Sequence, residues 1–198
     1  MVFIGTGSII FNDLVFDTGQ LGIGVAFSIG VALSIFLFGK YSGAHINPAV
    51  TIALFFNKKT SLNQLFGYIF FQISGALFAS IVLQQIFPIH SLLGVTQPSG
   101  TVLESFLLEL LLTFLLMLVI LIVGQKKSIS KHVFWIIGLF VGLEAFFAGP
   151  ICGASMNPAR SIGPAIVSAN LIHLWIYIIA TTIGALLSVF MMRWINRA

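Results

Sequence analysis

Apolar and polar positions fall into long blocks rather than alternating. Charge-free windows run over 18–39, 60–103, 110–125, 132–143 and 161–192, separated by short clusters of Lys, Asp, Glu, Asn and Pro. A helix needs roughly 20 apolar residues to cross a bilayer, so the second and last windows hold more than one element each. The second divides at Phe87-Pro88, which opens a polar loop through Thr96-Gln97-Pro98-Ser99-Gly100, and the last divides near Pro164 and Asn170, because such residues end helices. The pattern predicts spans near 20–39, 61–86, 101–124, 132–148 and 171–193, with an apolar N-terminal piece over 1–11. At about 1.5 Å per residue that piece reaches about 16 Å, half of the roughly 30 Å hydrocarbon thickness.

Composition turns this pattern into a class. Of 198 residues 59% are hydrophobic and 7% charged, against about 25% charged in an ordinary soluble domain, so the outer surface faces lipid rather than water. Six spans leave no room for a soluble catalytic domain, and the expectation is one transmembrane domain over 1–198. The single cysteine, Cys152, excludes an intramolecular disulfide framework and a cysteine-rich metal site. The start, Met1-Val2-Phe3-Ile4-Gly5, has no cationic region and reads as membrane helix rather than a secretory signal.

With the N-terminal piece counted as the first span, Lys40, Lys58, Lys59, Lys126, Lys127, Lys131, Arg193 and Arg197 fall on one side. Asp13, Asp17 and the uncharged loop 87–100 fall on the other. The positive-inside rule then puts the Lys loops and the C-terminus in the cytoplasm of a multi-pass protein of the cell (inner) membrane. The net charge of +4 is a topology signal and implies no nucleic acid. Arg160 alone disobeys the rule.

The segment Ser-Gly-Ala-His-Ile-Asn-Pro-Ala-Val-Thr at 42–51 recurs as Cys-Gly-Ala-Ser-Met-Asn-Pro-Ala-Arg-Ser at 152–161, an offset of 110 residues. Three spans lie within that offset, so the two copies enter from opposite faces, as in inverted-repeat transport proteins whose site lies at the midplane. The halves are about 1–98 and 99–198. Under the same offset Glu109 has its counterpart at position minus one, so the first helix is expected to lack its N-terminal part by about ten or more residues, either because the sequence lacks the start of the natural chain or because it begins at the wrong methionine.

Asn47-Pro48-Ala49 and Asn157-Pro158-Ala159 each read as a helix start, since Asn is a favoured N-cap and Pro a favoured first residue. Each begins a helix of some ten residues, about 15 Å long, which crosses half a membrane. Non-helical backbone at membrane depth is tolerated where it lines a watery cavity, so 39–46 and 149–156 are expected to line a pore with carbonyl oxygens. Two helix N-termini concentrate partial positive charge at the centre, and the amides of Asn47 and Asn157 offer N–H donors to a neutral solute while the dipoles repel cations and protons. The expected permeant is small and uncharged.

The paired boxes and the six half-symmetric spans resemble the aquaporin, or major intrinsic protein, family over nearly the whole chain. The resemblance implies a right-handed all-α bundle of six transmembrane helices plus two re-entrant half-helices, assembled as a homotetramer with one pore per subunit, passing water and small neutral solutes without enzyme activity, cofactor or metal. Its selectivity constriction takes Arg160 after the second box, Ala154 three residues before the second Asn, the aromatic Phe27 on the second span, and Ala145 on the fifth. Strict water channels usually have His where this chain has Ala145, and glycerol facilitators usually have Asp after the Arg, here Ser161. The stretch from Phe147 to Val167 resembles the nodulin-like subfamily and its bacterial relatives, which admit glycerol and metalloid hydroxides as well as water; that subfamily often has Trp at the Phe27 position.

Glu109 and His45 are expected to support the re-entrant loops, since an unpaired carboxylate at membrane depth is costly and needs donors. The direction faced by Glu144 is open. His90, His132 and His173 read as solvated or interfacial, and Cys152 as reachable from outside. Gly138, Gly142, Gly67, Gly75 and Gly184 suit close helix packing. Two other readings remain: a channel chiefly for glycerol or metalloid hydroxides, and a membrane junction protein without flux. An intramembrane enzyme using Glu109, Glu144 or His45 lacks a nucleophile and a partnered metal site.

Overall fold

The computed structural model describes residues 1–196, so Arg197, one of the topology signals, lies outside the described residues. The chain forms α1 (Val2–Leu14), α2 (Gly19–Ser42), α3 (Pro48–Phe56), α4 (Leu62–Ile86), α5 (Val102–Gln125), α6 (Val133–Cys152), α7 (Pro158–Val167) and α8 (Leu174–Ile195), with a 3₁₀ turn at Lys127–His132 that the hydrophobic pattern did not predict. Five of the helices, α2, α4, α5, α6 and α8, are long and apolar enough to cross a membrane. The 13-residue α1 occupies the place of the first span.

Local chemistry fixes several of the ends. Ser61 and Gln64 form a reciprocal capping box at the start of α4, and Thr101 and Glu104 do so for α5, each satisfying backbone donors that a helix start otherwise leaves orphaned. The half-helices α3 and α7 begin with Asn at the cap and Pro in the first turn. The two helices before them run one turn further than the pattern predicts. Gly43 (φ 67°) ends α2 and Gly153 (φ 83°) ends α6 in the left-handed region, their N–H groups donating to the carbonyls of Gly39 and Gly149 at 3.0 Å. Gly39 and Gly149 are therefore helical, and the irregular segments shorten to 43–47 and 153–157.

The packing repeats across the two halves. α2 crosses α6 at the centre, α1 lies on α4 as α5 lies on α8, and each half-helix packs on the last long helix of the other half or its own: α3 on α8 and α4, α7 on α4 and α8. Glycines set the approach at the central crossing. A Cβ at Gly142 would lie 2.7 Å from the Gly24 carbonyl oxygen, and one at Gly138 2.7 Å from that of Ser28. Gly184 meets the Leu110 backbone and Gly163 that of Ala76 in the same way. Gly67 and Gly75 do not pack closely; a Cβ there would meet open space, because regular spacing does not tell which helix face meets a neighbour. Large apolar side chains such as Phe16, Phe66, Phe70, Phe71 and Phe78 cover the outside, the arrangement a lipid solvent favours.

Candidate functional site

The two short helices point their N-termini at one another, and their capping residues are linked. Asn47 Oδ1 accepts from the N–H groups of Ala49 (2.9 Å) and Val50 (3.4 Å), and Asn157 Oδ1 accepts from Ala159 N–H at 3.0 Å. Those bonds leave each amide nitrogen free to donate elsewhere. Asn47 Nδ2 donates to the Met156 carbonyl at 2.7 Å, and Asn157 Nδ2 donates to the Ile46 carbonyl at 2.9 Å. Each asparagine thus caps its own helix and fastens the loop that precedes the other. Pro48, Ala49, Pro158 and Ala159 are buried at the junction.

Different side chains hold the two loops. In the second, Glu109 on α5 accepts Ser155 N–H at 2.7 Å through one carboxyl oxygen and Met156 N–H at 2.9 Å through the other. Tyr177 Oη donates to the Cys152 carbonyl, and Thr96 and Ser155 both bond the Ser161 hydroxyl. In the first loop, Thr51 sits at the hub: its hydroxyl bonds the Asn47 carbonyl (2.9 Å), Gln72 Nε2 (2.8 Å) and His45 Nδ1 (3.1 Å). With the hydroxyl donating to the carbonyl, its oxygen accepts from Gln72 and from a proton on His45 Nδ1, which satisfies all three. His45 also stacks on Tyr68 with ring centroids 4.2 Å apart, and Gln72 donates to the His45 carbonyl. Ala44 and Ala154, equivalent under the repeat, both take left-handed φ, 49° and 40°; such backbone costs energy for a residue with a Cβ and persists only where surroundings hold it.

Two cavities lie in this region, the first of them at the junction. The first is lined by the loop residues from Gly43 to Asn47 and from Ser155 to Asn157, together with apolar side chains such as Val31, Ile120 and Ile137. The second is lined by Gln20, Gln97, Ala145, Gly149 and Gly153 among others. Phe27 and Arg160 line both. Arg160 is 1% exposed, its guanidinium carbon 5.2 Å from the Phe27 ring centroid and its Nη1 donating to the Gly94 carbonyl at 2.8 Å. Phe27 in turn lies against Gly5 of α1, where a Cβ would strike the ring. Of the four residues expected to form a constriction, Phe27, Arg160 and Ala145 come together on the wall of the second cavity. Ala154 sits in the apolar core with Phe27 and Ala145, and its neighbours Gly153 and Ser155 line the two cavities instead.

Several residues of this region were not legible as such. Gln72 carried one signal, an amide in the middle of an apolar span, whereas Gln20, Gln97 and Gly94 carried none. His90 is no freely solvated loop histidine: its side chain is 10% exposed and bonded at both ring nitrogens. Cys152 is fully buried, its Sγ 3.5 Å from the Ala148 carbonyl oxygen, and is not reachable from outside. Glu144 is buried in α6, and among the described residues neither of its carboxyl oxygens meets a hydrogen-bond partner. Among the described residues no three His, Cys, Asp or Glu side chains are grouped to hold a metal ion.

Comparison with known proteins places the chain. A family profile described as Major intrinsic protein matches residues 1–192. The protein is 40% identical over 196 residues to Aquaporin NIP3-1 of Arabidopsis thaliana, covering 94% of this chain and 61% of that protein. It is 34% identical over 189 residues to Nodulin-26 of Glycine max, covering 94% of this chain and 70% of that one. The chain thus spans from 61% to 70% of the length of these two curated relatives. Its fold is similar to that in the X-ray structure of the aquaglyceroporin from Plasmodium falciparum, with a TM-score of 0.88 at 22% identity over 100% of this chain and 93% of that chain. The all-helical bundle with its apolar spans, the paired Asn-Pro-Ala boxes and these matches together identify the chain as a member of the major intrinsic protein family, a multi-pass integral membrane protein.

Proposed function

We propose that this protein is a passive transmembrane channel for water and small neutral solutes such as glycerol, with metalloid hydroxides as further candidates. The observation that carries the reading is the reciprocal junction of Asn47 and Asn157 beside two cavities that meet at Phe27 and Arg160. Two helix N-termini and a buried guanidinium on one route disfavour cations and protons, while carbonyl oxygens and amide donors offer replacement hydrogen bonds to an uncharged solute. Most of the first cavity's lining is apolar, and its polar partners come from the two loops, His45, Asn47, Ser155 and Asn157, and from Arg160. Among the described residues no carboxylate relay lies along this route, and in this reading flux follows the gradient.

In this reading Phe27, Ala145, Ala154 and Arg160 form the selectivity constriction, Asn47, Pro48, Ala49, Asn157, Pro158 and Ala159 the central junction, and His45 and Glu109 support the loops. The small Ala145 leaves the constriction wide on the α6 side, which favours glycerol-sized solutes. The unit is one channel domain of two inverted halves, assembled as a homotetramer in the cell (inner) membrane, with the Lys-bearing connections and the C-terminus cytoplasmic.

Purified protein in liposomes tests this. Osmotic shrinkage and iso-osmotic glycerol uptake are expected to exceed those of empty vesicles, and absence of both refutes the channel. Ala145→His is expected to suppress glycerol more than water; equal suppression places the constriction elsewhere.

A further inference from the structure

The Gly94 carbonyl that receives Arg160 belongs to a turn held from its far side by a histidine. In the loop 87–100, Leu93 N–H donates to His90 Nδ1 at 2.9 Å, and His90 Nε2 lies 3.1 Å from Asp13 Oδ2 in the last turn of α1. A neutral imidazole satisfies both contacts at once, with Nδ1 accepting and a proton on Nε2 donating to the carboxylate. Leu93 (φ 51°) and Gly94 (φ 68°) are both left-handed. Leu93 is buried against Ile10 and Leu83, and a Cβ on Gly94 would lie 3.1 Å from the Thr6 carbonyl oxygen. The turn has little room: Val95 N–H closes it by donating to the Leu92 carbonyl at 3.0 Å, and the bond to His90 braces it from the other side. A connected series of contacts therefore runs from Asp13, half exposed at the surface, to the guanidinium between the two cavities.

We propose that His90 is a positioning residue for Arg160: its neutral ring holds the Leu93–Gly94 turn that orients the guanidinium, and protonation at Nδ1 releases the turn and loosens the constriction. The proposal rests on the channel reading above. An imidazolium has donors at both nitrogens, so the protonated ring opposes Leu93 N–H donor to donor while its contact with Asp13 survives. Histidine is the side chain that gains a proton between about pH 5 and 8.

Asp13 is the titratable group that meets the ring. The loop 87–100 and the last turn of α4 hold no other charged residue. The other titratable or charged groups on this face lie elsewhere: Asp17 accepts from Gly19 N–H, Glu104 from Thr101, Arg160 donates to Gly94, and His173 stands at the N-cap position of α8 without a side-chain cap bond. His90 is thus the one whose protonation removes a bond within the turn.

Water and glycerol flux through proteoliposomes at about pH 7.5 and about pH 5.5, within the range over which histidine side chains in general change charge, tests this. For the wild type the glycerol-to-water flux ratio is expected to rise by a factor of about 2 to 10 at the lower pH, the range that loss of one ordinary hydrogen bond allows. His90→Asn, whose amide oxygen replaces Nδ1 as acceptor without titrating, is expected to keep the neutral-pH ratio at both values. His90→Leu is expected to show the raised ratio at both. Flux above empty vesicles with a pH-independent ratio in the wild type overturns the latch and leaves the channel reading standing, as does the same acid response in His90→Asn. Hydrogen exchange of the Leu93 amide, corrected for intrinsic rates, gives an answer independent of flux. Protection in the wild type and His90→Asn but not in His90→Leu is expected, and equal protection in all three overturns the proposal.

Discussion

Removing the Glu109 carboxyl should unfasten the second re-entrant loop, and the structure sets the size of the effect. Glu109 is fully buried, and its two oxygens receive the N–H groups of Ser155 and Met156 at 2.7 and 2.9 Å. In Glu109→Ala both donors lose their partner within a dry interior. Each orphaned donor costs about 1–3 kcal/mol, so two cost about 2–6 kcal/mol, a large share of the roughly 5–15 kcal/mol that holds a typical domain together. Glu109→Gln retains one acceptor oxygen and should fall between. The disturbance should also travel, since the Met156 carbonyl receives Asn47 Nδ2 at 2.7 Å and any rotation of that peptide releases the cap of the opposite half-helix. Thermal unfolding in detergent, followed by fluorescence of the three tryptophans, reads the first effect, and vesicle water flux the second. The expected order of apparent midpoints is wild type, Glu109→Gln, Glu109→Ala, with flux falling in the same order. An alanine variant that unfolds and conducts like the wild type would refute the assignment of the carboxyl as the support of this loop.

Three further outcomes follow from packing. Gly184→Ala forces a methyl into the Leu110 backbone and should lower stability by about 1–3 kcal/mol, whereas Gly75→Ala, which meets open space, should leave the unfolding midpoint unchanged or raised; parallel melts compare them. Glu144→Met replaces a buried carboxyl that meets no hydrogen-bond partner among the described residues with an apolar side chain of similar size, and should stabilise the fold by about 1–3 kcal/mol; a lower midpoint shows that the carboxyl is in fact partnered. Because Cys152 is fully buried, a membrane-impermeant mercurial should leave flux unchanged and label the thiol only after denaturation, as mass spectrometry of native and denatured samples would show.

Much of the architecture was readable because the bilayer makes a simple demand. A crossing helix must be about 20 residues of apolar sequence, and five such stretches stand in the chain with breakers between them. The half-helices were readable from Asn47-Pro48 and Asn157-Pro158, since capping chemistry is local and needs only consecutive residues. Glu109 was legible for a different reason, because a carboxyl at membrane depth must find donors. What escaped was set by contacts distant in sequence. Gly43 and Gly153, not Gly39 and Gly149, take the left-handed turns, and nothing in four residues of similar composition distinguishes them. Gly67 and Gly75 looked like Gly138 and Gly142 because spacing does not reveal which face meets a helix. His90 and Gly94 lie in a polar loop whose roles depend on α1 and α7, 77 and 66 residues away.

The crossed asparagine bonds also constrain how the protein is made. Asn47 finds its acceptor 109 residues downstream, at Met156. With synthesis at about 5–20 residues per second, the first half waits about 5–20 s in the bilayer with the tip of its short helix unmatched before the second half arrives. The newborn N-terminal half therefore passes through a stage in which a polar helix tip lies among lipids and unfinished helices, and the insertion machinery must shelter it until its complement is threaded in from the opposite side.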